Sequence, residues 1–167
     1  MSFRIAFLPL VRTTFDVPLA AEMTRLAREQ LQAAGFDLFE PEQPVTDLQA
    51  AQQVAGQVAA AQVDLLLIYQ ATFADSTLVI ALTEASDAPV FLWAVPEPWT
   101  GERLRLNSLC GINLAAHALT LRQRKYQYAY SPPQDPAVLQ KIRSLAAAGF
   151  LRRRLRSARL GVVGDHP

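Results

Sequence analysis

The sequence predicts a three-layer α/β domain built on a mostly parallel, five-stranded sheet. Three observations carry this. Apolar runs at residues 5–10, 65–69 and 90–95 are nearly continuous, as in strands covered on both faces. They alternate with stretches of helical periodicity, the pattern of right-handed βαβ crossovers. Each run also empties into a polar loop, at 11–17, 70–76 and 96–108. Together these features define a flavodoxin-like or Rossmann-like architecture. Ligands of such sheets bind beyond the carboxyl ends of the strands, so three polar loops on one edge point to a site.

The elements follow in order. Residues 3–10 form a first strand. Asp16 is placed to cap a helix that Pro18 opens and Gly35 stops, with Leu19, Met23, Leu26, Ala27, Gln30 and Leu31 as its mostly apolar stripe. Residues 36–39 form a short second strand. Thr46 or Asp47 caps an alanine- and glutamine-rich helix reaching about residue 62. Residues 63–69 are the third strand. Asp75 or Ser76 opens a helix through residue 86, and 89–95 is the fourth strand. Asn107 or Ser108 caps a helix to about residue 122, and 126–130 supplies a fifth strand. Two prolines turn the chain at 131–135. Pro136 then begins a long helix with Val138, Ile142, Leu145, Ala148 and Leu155 as apolar positions. Residues 1–157 read as one N-terminal α/β domain. The short apolar run at 160–163, within residues 158–167, is either the last strand or the start of a missing second domain; the strand-then-loop pattern favours the second.

Composition narrows the class. The chain has 167 residues, enough for one domain with a substantial core, and is 51% hydrophobic. A formal charge of +1 calls for neither nucleic acid nor an anionic membrane. The single cysteine precludes an internal disulfide and fits a reducing cytoplasm. No stretch approaches the roughly 20 apolar residues of a membrane span, and the first ten residues read as a strand rather than a signal peptide. The two histidines and one cysteine show no metal-ligand spacing. There is no G-x-G-x-x-G, no P-loop and no G-x-S-x-G elbow. Arg152, Arg153, Arg154, Arg156 and Arg159 form a basic run that reads as a solvated helix end or an interdomain contact.

Candidate site residues lie on the loops and on the fourth helix. In the first loop Arg12 suits an anion or a hydroxyl and Phe15 an apolar wall; the plain alternative is a solvated connection. In the second, Gln70 and Thr72 put an amide and a hydroxyl at a strand's end, or simply belong to a capped turn. Trp99 and Arg103 in the third are ligand contacts, or a packed residue and a solvated charge. Cys110, Asn113 and His117 stand at i, i+3 and i+7 on one helix face. The helix is apolar nearly all round, which predicts burial. His117 then either serves a ligand hydroxyl or a proton, or is a core histidine bonded to a carbonyl. Cys110 reads as a buried, inert thiol, and Gly111 permits close approach of a backbone or a ligand.

Three segments together resemble a known family: Phe7-Leu-Pro-Leu-Val-Arg-Thr-Thr-Phe-Asp16, Gln70-Ala-Thr-Phe-Ala-Asp-Ser76 and Leu106-Asn-Ser-Leu-Cys-Gly-Ile-Asn-Leu-Ala-Ala-His117. They are similar to the N-terminal domain of the L-fucose/L-arabinose isomerase-like proteins. Arg159-Leu-Gly-Val-Val-Gly164 resembles the strand by which such proteins enter their next domain. The resemblance implies an aldose–ketose isomerase whose metal, usually Mn²⁺, and catalytic carboxylates lie in later domains. It further implies that the N-terminal domain helps recognise the sugar, often in a neighbouring subunit of a homo-oligomer. On this reading Arg12, Thr14 and Phe15 line the substrate and His117 reaches its hydroxyls, while Gln70, Thr72 and Asn113 complete the contacts. The chain would hold no catalytic residue, metal ligand or cofactor of its own and would be inactive alone. Its partners would be a small sugar, the downstream isomerase domains and further copies of itself. The alternative is a free-standing small-ligand-binding or oligomerisation module.

Overall fold

A computed structural model describes residues 2–159, 161, 163 and 164. Strands and helices alternate without exception: β1 (Arg4–Leu10), α1 (Val17–Ala33), β2 (Asp37–Phe39), α2 (Leu48–Ala61), β3 (Leu65–Gln70), α3 (Ser76–Glu84), β4 (Val90–Ala94), α4 (Ser108–Leu121), β5 (Tyr126–Tyr130) and α5 (Pro136–Arg156). The sheet is parallel throughout, in the order β2-β1-β3-β4-β5. Each predicted strand and helix up to residue 156 is present. Of the predicted run at 160–163, Leu160 and Val162 lie outside the described residues.

The layers follow from the alternation of strand side chains. Ile5, Phe7, Leu65, Leu67, Tyr69, Phe91 and Trp93 point to one face, where α1 and α5 cover them with Ala27, Leu31, Val138 and Ile142. Ala6, Leu8, Leu66, Ile68, Leu92 and Ala94 point to the other, under α2, α3 and α4. The central strands β1, β3 and β4 are buried on both faces, which is why they read as unbroken apolar runs. β5 is an edge strand, and Tyr128 and Tyr130 stand exposed on it.

Local chemistry sets the element ends. Asp16, Asp47, Asp75 and Asp135 each accept a backbone N–H from the first turn of the helix that follows. Gly35, at φ +80°, closes α1: its N–H reaches Gln32 O and that of Phe36 reaches Leu31 O. The same paired bonds end α4, with Gln123 in the left-handed position usually held by glycine.

Two expectations fail at the surface. Ala148 and Leu155 are not inward positions; like Leu151 they are exposed, and α5 turns Val138, Ile142, Ala146 and Gly149 inward instead. α4, predicted to be buried all round, is covered on one side only by Ile112, Ala115 and Leu119. Its Leu109, Cys110, Asn113, His117 and Leu121 face solvent. A helix without a charged residue is therefore half-buried like any outer helix, and Cys110 is an exposed thiol rather than a buried one.

At the amino edge, α5 is clasped to β3. Asp64 is 2% exposed, and its carboxylate accepts the Arg4 N–H at 2.9 Å and the Arg153 guanidinium at 2.7 and 3.1 Å. Gly149 makes the approach possible, since a Cβ there would overlap the Asp64 carbonyl oxygen. Gly149→Ala should therefore destabilise the fold by about 3 kcal/mol or more despite alanine's better helix propensity, as read from urea denaturation. Arg153→Met should cost about 3 kcal/mol in the same assay, because it strands a buried carboxylate.

Candidate functional site

The three loops meet on the carboxyl edge. The first and second are joined through Thr72, which is fully buried: its Oγ1 accepts the Arg12 N–H at 2.8 Å and donates to Phe73 O at 3.0 Å, while its own N–H reaches Leu10 O. The second and third are joined where Phe73 N–H meets Leu106 O at 2.8 Å. The first and third are joined through Asp16, whose N–H reaches Arg105 O at 3.0 Å and whose carboxylate pairs with the Arg105 guanidinium at 2.8 Å. Aromatic packing runs along the same seam. Phe15 lies 6.2 Å from Phe73, Arg12 sits over the Phe73 ring, and Arg103 sits over the Phe15 ring.

Ser108 ties this seam to the sheet. Its hydroxyl accepts the Val95 N–H at 3.1 Å and donates to Gln70 O, so one side chain bridges the ends of β3 and β4 from the first residue of α4. Directly beneath, the Gln70 side chain is fully buried and lies under Gly111. A Cβ at Gly111 would come within 2.9 Å of Gln70 Oε1 and 3.1 Å of Phe73 Cα, so the close approach expected of this glycine is to a side chain and a backbone. Neither atom of the Gln70 amide head has a hydrogen-bond partner among the described residues.

Glu97, which sequence reasoning missed, closes the third loop. Its carboxylate accepts the N–H groups of Arg105, Leu106 and Asn107 at 2.5, 2.8 and 2.7 Å. Asp16 has a comparable double duty. The Leu19 N–H and then Arg105 hold its carboxyl below the usual range. Asp75 is likewise lowered, chiefly by Thr77.

The predicted site residues divide into three groups. Arg12 and Thr14 are exposed on the rim and Phe15 is half-buried beside them. Gln70 and Thr72 sit below, without exposed surface; they shape the rim rather than present a face to solvent. Asn113 and His117 are exposed on the outer side of α4, with His117 about 9 Å along the axis from Gly111 at the helical rise. A cleft of about 240 Å³ at this edge is lined by Arg12, Asp47, Asp75 and Thr77 among others, and neither Asn113 nor His117 borders it. Trp99 stands out on the third loop, 77% exposed.

The Mn²⁺ implied by the resemblance finds no fitting ligand set here. Among the described residues no group of three or more His, Cys, Asp or Glu is placed to hold a metal. The rim's Asp16, Asp75 and Glu97 are each engaged by backbone N–H groups. Among those residues, too, no helix is long and apolar enough to cross a membrane.

The family model for the fucose/sulfoquinovose isomerase N-terminal domain matches residues 6–153, which include all three loops. The chain belongs to this family. A sulfoquinovose isomerase from Priestia aryabhattai is 29% identical over 163 residues, covering 98% of this chain and 36% of that protein. One from Alkalicoccus urumqiensis is 32% identical over 166 residues, with the same two coverages of 98% and 36%. A third, from Clostridium sp. (strain MSTE9), is 35% identical over 105 residues, covering 62% of this chain and 24% of that protein. The chain thus spans about 36% of the length of the first two. Among solved structures, a ribose 5-phosphate isomerase from Thermotoga maritima matches at 15% identity and a TM-score of 0.37, over 93% of this chain and 97% of that one.

Two measurements probe the rim. Ser108→Ala removes the acceptor of a buried N–H and should cost about 2 kcal/mol in urea denaturation. Asp16→Asn should lower the urea midpoint near neutral pH. Because the folded pKa of Asp16 is depressed, its stabilisation is present above the ordinary carboxylate value of about 3.9 and fades as pH falls through the lower folded value. The gap between variant and wild type should therefore close on acidification.

Proposed function

We propose that this chain is the substrate-recognition and assembly domain of a sugar ketol-isomerase, and that the carbohydrate meets it at the carboxyl-edge rim. The observation that carries the reading is Arg12. It sits at the end of β1, beside β3, where the strand order β2-β1-β3 reverses direction. Its backbone is pinned by Thr72 while its side chain remains exposed. A planar guanidinium held this way, with the Phe73 and Phe15 rings alongside, suits an oxyanion or paired hydroxyls on a ring that also offers an apolar face. Thr14 supplies a further hydroxyl.

The relatives are sulfoquinovose isomerases, and an arginine-bearing rim suits a sulfonated sugar better than a neutral one such as fucose or arabinose. The proton transfers between adjacent carbons, and the Mn²⁺ that would polarise the substrate's oxygens, belong to other parts of a longer protein. This chain's residues bind and orient. The uncharged outer side of α4, with Asn113 and His117, would face a neighbouring copy, so that His117 serves a substrate shared between subunits. The single free cysteine and the absence of a membrane-crossing helix among the described residues accord with a cytoplasmic setting.

The test is amide NMR of the 167-residue chain titrated with sulfoquinovose, with glucose as the unsulfonated control. Shifts are expected at residues 12–15 and 72–73 and at the start of α4. They should be at least five-fold weaker in affinity with glucose or in Arg12→Ala. No turnover is expected with Mn²⁺ present. Shifts confined to the amino edge, or steady isomerisation by the chain alone, would overturn the proposal.

A further inference from the structure

Two cavities roomier than the rim cleft lie at the amino edge, the opposite end of the sheet. One, of about 570 Å³, opens between the residue 86–89 turn, the starts of β4 and β5, and α5. Its neighbour, of about 510 Å³, shares Asp87 and Arg152 and continues along the arginines of α5. The first is lined by three cations, Arg124, Lys125 and Arg152, against one carboxylate, Asp87. Asp87 is already bonded to Arg156 at 2.6 Å. The chain as a whole carries only +1, so positive charge is concentrated at this end.

Two of these cations are held in place by backbone carbonyls, with Asp87 as the one carboxylate beside them. Arg124 donates to the carbonyls of Ser86 and Ala88 at 2.8 and 2.7 Å. Its Nε is buried with no partner among the described residues. Arg152 donates to the Asp87 carbonyl at 2.7 Å. Carbonyls fix a guanidinium in place and leave its charge. The end of α4 sets the geometry: with Gln123 left-handed, the chain turns so that Arg124 reaches under the 86–88 turn. Burial is the main cause holding the pKa of Arg124 below its ordinary value; the charge of Asp87 opposes that shift and the charge of Arg152 adds to it. Three cations against one carboxylate leave an excess of positive charge in the lining, which is what an oxyanion site needs beforehand.

We propose that this groove is a second ligand site, which binds a phosphoryl group between Arg124, Lys125 and Arg152. A dianion matches the excess of cations over carboxylates in the lining. Pro89, Tyr126 and Leu145 offer an apolar wall for whatever the phosphoryl group esterifies. The site is separate from the sugar rim and does not depend on it.

Isothermal titration of the chain with inorganic phosphate, and separately with glycerol 3-phosphate, tests this at constant ionic strength set by sodium chloride. Saturable one-to-one binding is expected. Tighter binding of the ester identifies an organic phosphate as the natural ligand, and equal affinity identifies the free ion. Lys125→Gln and Arg152→Gln should each weaken binding at least five-fold. The Lys125 side chain is exposed and makes no hydrogen bond or ion pair among the described residues, so its variant tests binding with little effect on the fold. Three results would overturn the proposal. One is no heat beyond that of chloride. Another is binding lost in Arg12→Gln but retained in Arg152→Gln. The third is capture of a glutamate-rich peptide with no response to either phosphate, which would give the groove to an acidic protein segment.

Discussion

One hydroxyl holds the carboxyl edge of this domain to its sheet. Parallel strands leave their last N–H and C=O groups facing a loop, and those groups must be satisfied before anything beyond them is ordered. Ser108 does this for two strands at once, taking the Val95 N–H and giving its proton to Gln70 O from within a 1%-exposed pocket. The start of α4 is thereby fixed over β3 and β4. Gly111 falls onto Gln70 and Phe73, and Phe73 in turn receives Phe15 and Arg12. Without that bridge the three loops share no common base.

The two ends of the sheet are stabilised by different chemistry. At the carboxyl edge, carboxylates and hydroxyls receive backbone N–H groups, as Glu97 does three times and Asp16 and Thr72 do beside it. Those contacts order loops and leave Arg12 exposed. At the amino edge, guanidinium groups reach backbone carbonyls and the buried Asp64. The region matched by the family model takes in both ends, all three loops at the first and residues 64, 87, 124 and 152 at the second. The second end owes its character to the arginines of α5, which sequence reading treats as a solvated helix end or an interdomain contact. Of these, Arg152, Arg153 and Arg156 each have a defined partner.

Most of the fold was legible because the decisive signals are local. Unbroken apolar runs marked β1, β3 and β4, and an aspartate preceded four of the five helices. The arrangement of the candidate site was legible in part. Loop convergence follows from parallel topology, so placing Arg12, Thr14 and Phe15 on one rim needed only the strand assignment. Gln70 and Thr72 were legible as polar residues at a strand's end, but their depth was not. Burial there depends on Gly111 and Leu106, some 35 to 40 residues away. Glu97 was invisible because a carboxylate facing three loop amides has no periodic signature. α4 misled because the lack of charge does not say which faces are covered. That is set by where α3 and the sheet lie, and they leave Asn113 and His117 outside.

The outer flank of β5 has its own consequence. Tyr-Gln-Tyr-Ala-Tyr contains no charge and no proline, the usual deterrents on a terminal strand, and two of its aromatic rings are bare. Among the described residues no strand pairs with its outer flank, so its amides and carbonyls there offer a template for another extended segment. Tyr128→Lys would set a charge on this exposed flank and so oppose lateral pairing in concentrated solution.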